Sequence, residues 1–137
     1  MRPAVYVASR ASIPERSAMW RAYRAQGANI ISSWIDEAGP GQTASFHELW
    51  VRIQDEIRRC DRLVFYVESL HDFPMKGVLV EVGMAFGLLK PVWIVLGKDV
   101  PVDGRTYRPL GSWVEHPCVK SFARSATPID LANALGL

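Results

Sequence analysis

Three short, continuous apolar runs constrain the fold of this chain more than any other feature of its sequence. Ala4–Ala8, Leu63–Val67 and Val92–Leu96 consist largely of β-branched and aromatic residues, and each is followed by a polar or glycine-containing stretch. Continuous runs of this length are typical of strands that are covered on both faces, as in parallel sheets. Because helical patterns separate the runs, we predict an α/β fold: a parallel sheet with helices on both faces and right-handed crossovers.

Weaker signals predict the rest of the layout as one domain, residues 1–137. Glu37–Ser45 has the composition of a loop, and Gly97–Pro117 is irregular and long, which makes it a candidate for a lid or an oligomer contact. The remaining predicted elements are a helix between Ser12 and Gly27, a second strand at Asn29–Ser32, a helix at Phe46–Cys60, a helix around Glu81, a fifth strand at Val119–Phe122 and a short helix at Pro128–Leu135.

Composition argues against several classes of function. The chain is 49% hydrophobic and 22% charged, with a formal net charge of +2, so nucleic acid is not an expected partner. Cys60 and Cys118 lack metal or redox spacing and are expected to be free thiols. His47, His71 and His116 do not cluster, so we expect no metal and no cofactor. No cleavable signal or membrane-length apolar run is recognisable, which predicts a cytoplasmic protein with no membrane partner.

Glu81 is the one carboxylate in the almost wholly apolar segment Lys76–Pro91. Burying an unpaired charge costs several kcal/mol, so an apolar helix normally keeps carboxylates out of its buried positions. Glu81 therefore either faces solvent or lies in a cleft, and spacing alone leaves both alternatives open. Gly77, four residues earlier, leaves bare backbone that a substrate can approach, whereas Gly83 and Gly87 are expected to permit close helix packing.

The layout predicts a ligand site beyond the carboxyl ends of the strands. In open doubly wound sheets, ligands bind there, where the strand order reverses. Glu81 lies early in the helix after the third strand, so its carboxylate can face the same crevice, and the helix dipole favours its ionised form there. The other side chains collected by this rule are Ser9, Arg10, Trp34, Asp36, Glu68 and Ser69.

The Glu81 segment resembles the signature of nucleoside 2-deoxyribosyltransferases and related nucleotide N-glycosidases. That signature has a Gly, three residues, a Glu, then apolar-Gly-x-Ala and, a few residues later, Lys-Pro-apolar. The segments Val5–Ser9 and Cys60–Phe65 also resemble the family, in a small phage or bacterial branch, and the resemblance covers about residues 4–96. The matching positions of the signature are Gly77, Glu81, Gly83, Ala85, Lys90 and Pro91.

The resemblance implies a three-layer, flavodoxin-like sheet with strand order 2-1-3-4-5 and a site built around Glu81. Glu81 would act as the nucleophile and form a glycosyl ester with a nucleoside or nucleotide, while Tyr6 or a loop hydroxyl would orient it. It also implies a homo-oligomer, a dimer or higher, with which the apolar residues Trp113, Val114 and Phe122 are compatible. The implied substrate-binding residues are Ala8, Ser9, Arg10, Trp34, Asp36, Glu68, Lys76 and Gly77.

Two positions depart from the pattern of the family. Its transferases usually carry an Asp six residues before the nucleophile, for proton transfer to the leaving base, where this chain has Met75. A second Asp, which binds the sugar, is replaced by Ile53. Asp36, Glu68 and Asp72 are candidate substitutes. Two alternatives therefore stay open: a nucleotide-binding or sensing module without catalysis, and cleavage of NAD or a related nucleotide, as in TIR-like domains.

Overall fold

The computed structural model describes residues 1–37, 42–125 and 127–137. The predicted loop at Glu37–Ser45 is therefore described only in part, because residues 38–41 lie outside these ranges. The strands are β1 (Val5–Ala8), β2 (Arg62–Val67), β3 (Val92–Leu96) and β4 (Val119–Ala123), and the helices are α1 (Pro14–Ala25), α2 (Phe46–Arg59), α3 (Lys76–Gly87) and α4 (Pro128–Ala134). Short 3₁₀ turns lie at Ser33–Asp36, Leu70–Asp72 and Ser112–Glu115.

The strands form a parallel sheet in the order β1-β2-β3-β4, which confirms the predicted α/β class. The predicted second strand at Asn29–Ser32 is wrong, because this segment makes only one bridge to Val5, through Ile30. The ladder stops there because the next free amide of β1, Val7 N, donates to the side chain of Ser32 at 3.0 Å. The five-strand order 2-1-3-4-5 is consequently not confirmed.

Helices cover both faces of the sheet. On one face, Trp20 of α1 packs edge-on against Tyr66 of β2, with ring centroids 5.6 Å apart. Arg62 of β2 lies on that face too and donates to carbonyl oxygens at the end of α4. The side chain of Tyr6 in β1 lies on the opposite face of the sheet and contacts Glu81 of α3. The architecture thus has three layers, with α1 and α4 on one side and α2 and α3 on the other.

The glycines of α3 do not pack as predicted. Gly83 and Gly87 are exposed, and a Cβ added at either would meet no described atom within 4 Å. The close approach occurs at Gly97 instead, where a Cβ would lie 2.0 Å from the carbonyl oxygen of Glu68. Gly97 thus allows the carboxyl ends of β2 and β3 to run side by side.

The irregular segment Gly97–Pro117 packs onto the sheet on the side of α3. Trp113 lies edge-on against Phe65 at 5.3 Å, and Val114 is buried. Phe122 of β4 is partly buried near Tyr107. These residues therefore do not supply the exposed apolar surface that the sequence led us to expect. In the described part of the chain, no helix is both long enough and apolar enough to cross a membrane.

Candidate functional site

A cavity of about 260 Å³ opens beyond the carboxyl ends of β1 and β2. Its walls are the loop after β1 and the amino-terminal halves of α2 and α3, which is where ligands bind in doubly wound sheets. The lining residues are Ser9, Arg10, Ala11, Ser12, Trp34, Phe46, Leu49, Trp50, Ile53, Pro74, Met75, Lys76, Gly77, Val78 and Glu81.

Glu81 lines this cavity from the second turn of α3 and is 7% exposed. The hydroxyl of Tyr6, a fully buried residue of β1, donates a hydrogen bond to Glu81 Oε1. The hydrogen bond from Tyr6 therefore fixes one side of the Glu81 carboxyl group to β1, and the opposite side of the carboxyl group lines the cavity. Of the two alternatives that the sequence left open, a solvent-facing position and a cleft position, the structure shows the second.

The pKa of Glu81 is raised to about 8. Burial is the main cause, the nearby carboxylate of Glu56 adds to it, and the hydrogen bond from Tyr6 acts in the opposite direction. Burial thus outweighs the helix dipole that the sequence led us to invoke. The pKa of Tyr6 is itself raised well above 10 by burial and by Glu81, so Tyr6 stays protonated as a donor.

Arg10 lines the cavity and holds the turn that follows β2. Its Nη1 donates to the carbonyl oxygens of His71, Asp72 and Phe73 at 3.2, 3.3 and 2.9 Å. Its Nε donates to Ser12 Oγ at 2.8 Å. The guanidinium group therefore ties the first loop of the site to the turn that precedes α3.

Ser9, Trp34, Lys76 and Gly77 also line the cavity. Ser9 Oγ accepts a hydrogen bond from the indole of Trp20 at 2.9 Å. Trp34 is 5% exposed, and its Nε1 donates to the carbonyl oxygen of Val7 at 2.7 Å, which fixes the orientation of its ring. A Cβ added at Gly77 would make an ordinary van der Waals contact with Trp50, so residues larger than glycine also fit at this position.

Four other residues chosen from the sequence do not line the cavity. Ser69 caps the turn after β2, where its Oγ accepts a hydrogen bond from the N–H of His71 at 3.3 Å. Ala8 is fully buried in the sheet. Asp36 pairs with Arg24 at 2.8 Å, and that hydrogen bond is the main reason why the pKa of Asp36 is lowered. Glu68 is held 3.0 Å from Arg16.

The buried pair between Arg16 and Asp72 was not predicted from the sequence. Asp72 is fully buried and accepts two hydrogen bonds from Arg16, at 2.7 and 3.2 Å, and a third from the backbone N–H of Glu68. All three candidate substitute acids are thus paired with arginines. Among the cavity-lining residues that the structure describes, Glu81 is the only carboxylic acid.

Sequence reasoning also missed the apolar wall of the cavity. Met75 and Ile53 both line it, so the two positions that depart from the family pattern meet in one place. Phe46 and Trp50 belong to the predicted helix Phe46–Cys60, and the helical spacing of its apolar residues does not distinguish a core face from a cavity face. Across the described ranges, no group of three or more His, Cys, Asp or Glu residues is arranged to hold a metal ion.

No protein-family model and no curated protein matches the chain. Among solved structures, it is similar to the CMP N-glycosidase BcmB of Clostridium botulinum, with 14% identity, a TM-score of 0.57 and 96% of each chain covered. It is also similar to a 2-deoxyribosyltransferase from Leishmania mexicana, with 18% identity, a TM-score of 0.60 and the same coverage. At these identities the likeness shows that the chain shares the fold of the two enzymes, which confirms the α/β, flavodoxin-like class.

Proposed function

We propose that this protein cleaves the N-glycosidic bond of a small nucleoside or nucleotide, by hydrolysis or base exchange, with Glu81 as the nucleophile. The observation that carries the proposal is the carboxyl group of Glu81, held by Tyr6 at the wall of a cavity beyond the strand ends. The shared fold with a nucleotide N-glycosidase and a deoxyribosyltransferase supports the same reaction class.

The chemistry follows from a carboxylate at an anomeric carbon. The ionised group attacks C1′ as the base departs, through an oxocarbenium-like transition state, and forms a glycosyl ester on Glu81. Water or a second base then attacks C1′ from the opposite side and releases the carboxylate, with overall retention. Tyr6 keeps the carboxyl group oriented during both steps.

The dimensions and charge of the cavity favour a small substrate. Small-molecule pockets usually enclose about 300–1,000 Å³, and this one, at about 260 Å³, lies just below that range. A mononucleoside or mononucleotide suits that volume better than a dinucleotide such as NAD does. Arg10 and Lys76 both line the cavity, and their charges suit a 5′-phosphate.

Base release by the purified protein tests the proposal. Nucleosides and nucleotides of each base are incubated with the wild type and with Glu81→Gln, and free base is measured by chromatography. The variant keeps the shape and an acceptor for Tyr6 but has no nucleophile, so release should fall about 10³-fold or more. The exposed Glu48 provides a matched Glu→Gln control on α2. Equal release by the wild type and Glu81→Gln would refute the catalytic role.

A binding module without catalysis is the second candidate, favoured by the apolar side chains of Met75 and Ile53 in the cavity wall. Such a module would be stabilised by a nucleotide without consuming it. A ligand at a hundred times its dissociation constant adds about 2.7 kcal/mol to the unfolding free energy. A rise in melting temperature with no base release would favour this candidate.

Self-association and a cytoplasmic location are further parts of the proposal. On the face of the sheet that carries the cavity, α2 and α3 expose Val51, Leu79, Val80 and Leu88 with 42–59% of their surface accessible. A second copy of the chain would remove these apolar groups from water. Both cysteines are buried free thiols, which suits a reducing compartment.

A further inference from the structure

We infer that the preferred substrates carry a base with a fixed positive charge, such as a pyridinium or an N-alkylated purinium nucleoside or nucleotide. The inference rests on the proposed cleavage at Glu81 and narrows its substrate class. The observation behind it is a single carboxylic acid in a cavity with an aromatic wall, where the described lining residues include no second acid.

Among the described lining residues, Glu81 is the only carboxylic acid that could protonate a departing base. An uncharged base leaves as an anion unless a general acid within hydrogen-bonding reach protonates it. Glu81 is needed as the nucleophile, and Asp72 and Glu68 are held by Arg16. Tyr6 is fully buried and donates its hydroxyl hydrogen to Glu81, so that hydrogen is already engaged by the nucleophile. An uncharged base therefore has no carboxylic acid to assist its departure.

A cationic base departs without any proton. As a carboxylate oxygen of Glu81 bonds to C1′, the electron pair of the C1′–N bond moves to the ring nitrogen and cancels the positive charge of the base. The base leaves neutral, and the sugar remains as an ester on Glu81. Water then attacks C1′, the carboxylate departs, and the proton of the water passes to solvent. Each step balances with water as the only co-reactant.

The cavity wall suits a flat cation. Trp34, Trp50 and Phe46 line it together, and the ring of Trp34 is fixed by its hydrogen bond to Val7. Cations over aromatic faces are attracted to the ring, and the attraction is weaker at Phe46, which is 70% exposed, than at the buried Trp34. These side chains therefore provide an apolar, electron-rich surface for a pyridinium or purinium ring.

A cationic base would also activate the nucleophile. Burial raises the pKa of Glu81 to about 8, so near neutral pH the empty cavity favours the protonated carboxyl group, which cannot attack. A positive charge bound nearby favours the ionised form and lowers this pKa. An uncharged base gives no such assistance. Charge on the base would thus aid both the ionisation of Glu81 and the departure of the leaving group.

Matched substrate pairs test the inference. 7-Methylguanosine is compared with guanosine, and nicotinamide riboside with its uncharged 1,4-dihydro form, by measuring free base and kcat/KM for each. Because a general acid contributes about 10²–10⁴-fold, we expect the charged member to be favoured by about 100-fold or more. Ratios within threefold of one would overturn the inference and leave the proposed function standing. No release from any member, charged or uncharged, would overturn the inference, and it would overturn the proposed function as well if the nucleosides and nucleotides of every other base also yield no free base.

Lys76 provides the necessary control, because its ammonium group also lines the cavity. If Lys76 protonated the departing base, Lys76→Met would slow only the uncharged members and raise the ratio within each pair. Because the ammonium group also repels a cationic base, its removal should raise the ratio by no more than about threefold, through faster release from the charged members. A rise of tenfold or more that comes from slower release of the uncharged members would overturn the inference. Glu81→Gln should abolish release from both members, which assigns the activity to this site.

Discussion

At Glu81, one buried carboxyl group links stability to reactivity. Its pKa is about 8 in the folded chain, against an ordinary value of 4.5, so the folded state binds this proton more tightly than the unfolded state does. The stabilisation from the protonated group is complete below the ordinary value and is lost as the pH rises through about 8. The protein therefore loses unfolding free energy at the pH where Glu81, the proposed nucleophile, ionises.

Glu81→Gln should prevent this loss. At pH 4 we expect the variant and the wild type to have similar unfolding free energies, because both side chains are neutral. At pH 9 the variant should be more stable by roughly 3–5 kcal/mol, because each pKa unit between 4.5 and about 8 corresponds to 1.36 kcal/mol. Urea denaturation at pH 4, 6.5 and 9 measures the difference. A difference that does not change with pH would contradict the assignment of the raised pKa to Glu81.

The sequence could predict some of the site residues but not all of them. The strand-end rule selected Ser9 and Arg10, which line the cavity, and also Asp36 and Glu68, which do not. The latter two are paired with Arg24 and Arg16, and no spacing pattern predicts such distant partners. Likewise, an apolar residue such as Ile53 gives the same signal in a core and in a cavity wall.

At the level of elements, the Leu70–Asp72 turn is fixed from two sides. Arg10 donates hydrogen bonds to the carbonyl oxygens of His71, Asp72 and Phe73. Arg16 of α1 pairs with the fully buried side chain of Asp72. The turn leads through Pro74 and Met75 into α3, so it sets the position of the helix that carries Glu81. The hydrogen bonds of Arg10 and Arg16 therefore determine the shape of one cavity wall.

Asp72→Ala should destabilise the protein strongly. The substitution leaves the buried guanidinium of Arg16 with only Glu68, whose side chain is 53% exposed, and breaking a buried pair from one side costs about 3–5 kcal/mol. Urea denaturation measures the loss of unfolding free energy. Asp55→Ala, which removes the two exposed ion pairs of Asp55 with Arg58 and Arg59 in α2, serves as the control and should have a much smaller effect. Equal losses in both variants would contradict the structural role of the turn.

The strands differed in how well the sequence predicted them. The three continuous apolar runs are strands of the sheet, because burial on both faces demands such runs. Val119–Phe122 lies in the partly exposed edge strand β4, which its weaker apolar pattern also predicted. Asn29–Ser32 has a similar but weaker pattern, and there the Ser32 hydroxyl takes the amide of Val7 that would have continued the ladder. Competition between a side chain and the backbone for one donor is a local event that periodicity does not reveal.

At the level of the whole molecule, the exposed apolar face of α2 and α3 predicts self-association. Val80 is 51% exposed on this face, and Ile129 of α4 is 72% exposed on the other side of the sheet. Val80→Glu should weaken assembly by about tenfold or more, because it replaces buried apolar area with a charge. Ile129→Glu should leave assembly unchanged. Sedimentation velocity over a concentration series measures both, and a wild type that is monomeric throughout would contradict the prediction.

Detection of the proposed covalent intermediate would test the central claim most directly. Fluorine at C2′ slows both formation and hydrolysis of the glycosyl ester, because it destabilises the oxocarbenium-like transition state of each step, so an analogue that also carries a readily departing base should accumulate the ester. Mass spectrometry of the protein after incubation with such analogues, followed by peptide mapping, should show one fluorinated sugar on Glu81 in the wild type and none in Glu81→Gln. Base release by Glu81→Gln at the wild-type rate, or attachment of the sugar to any other residue, would contradict the account.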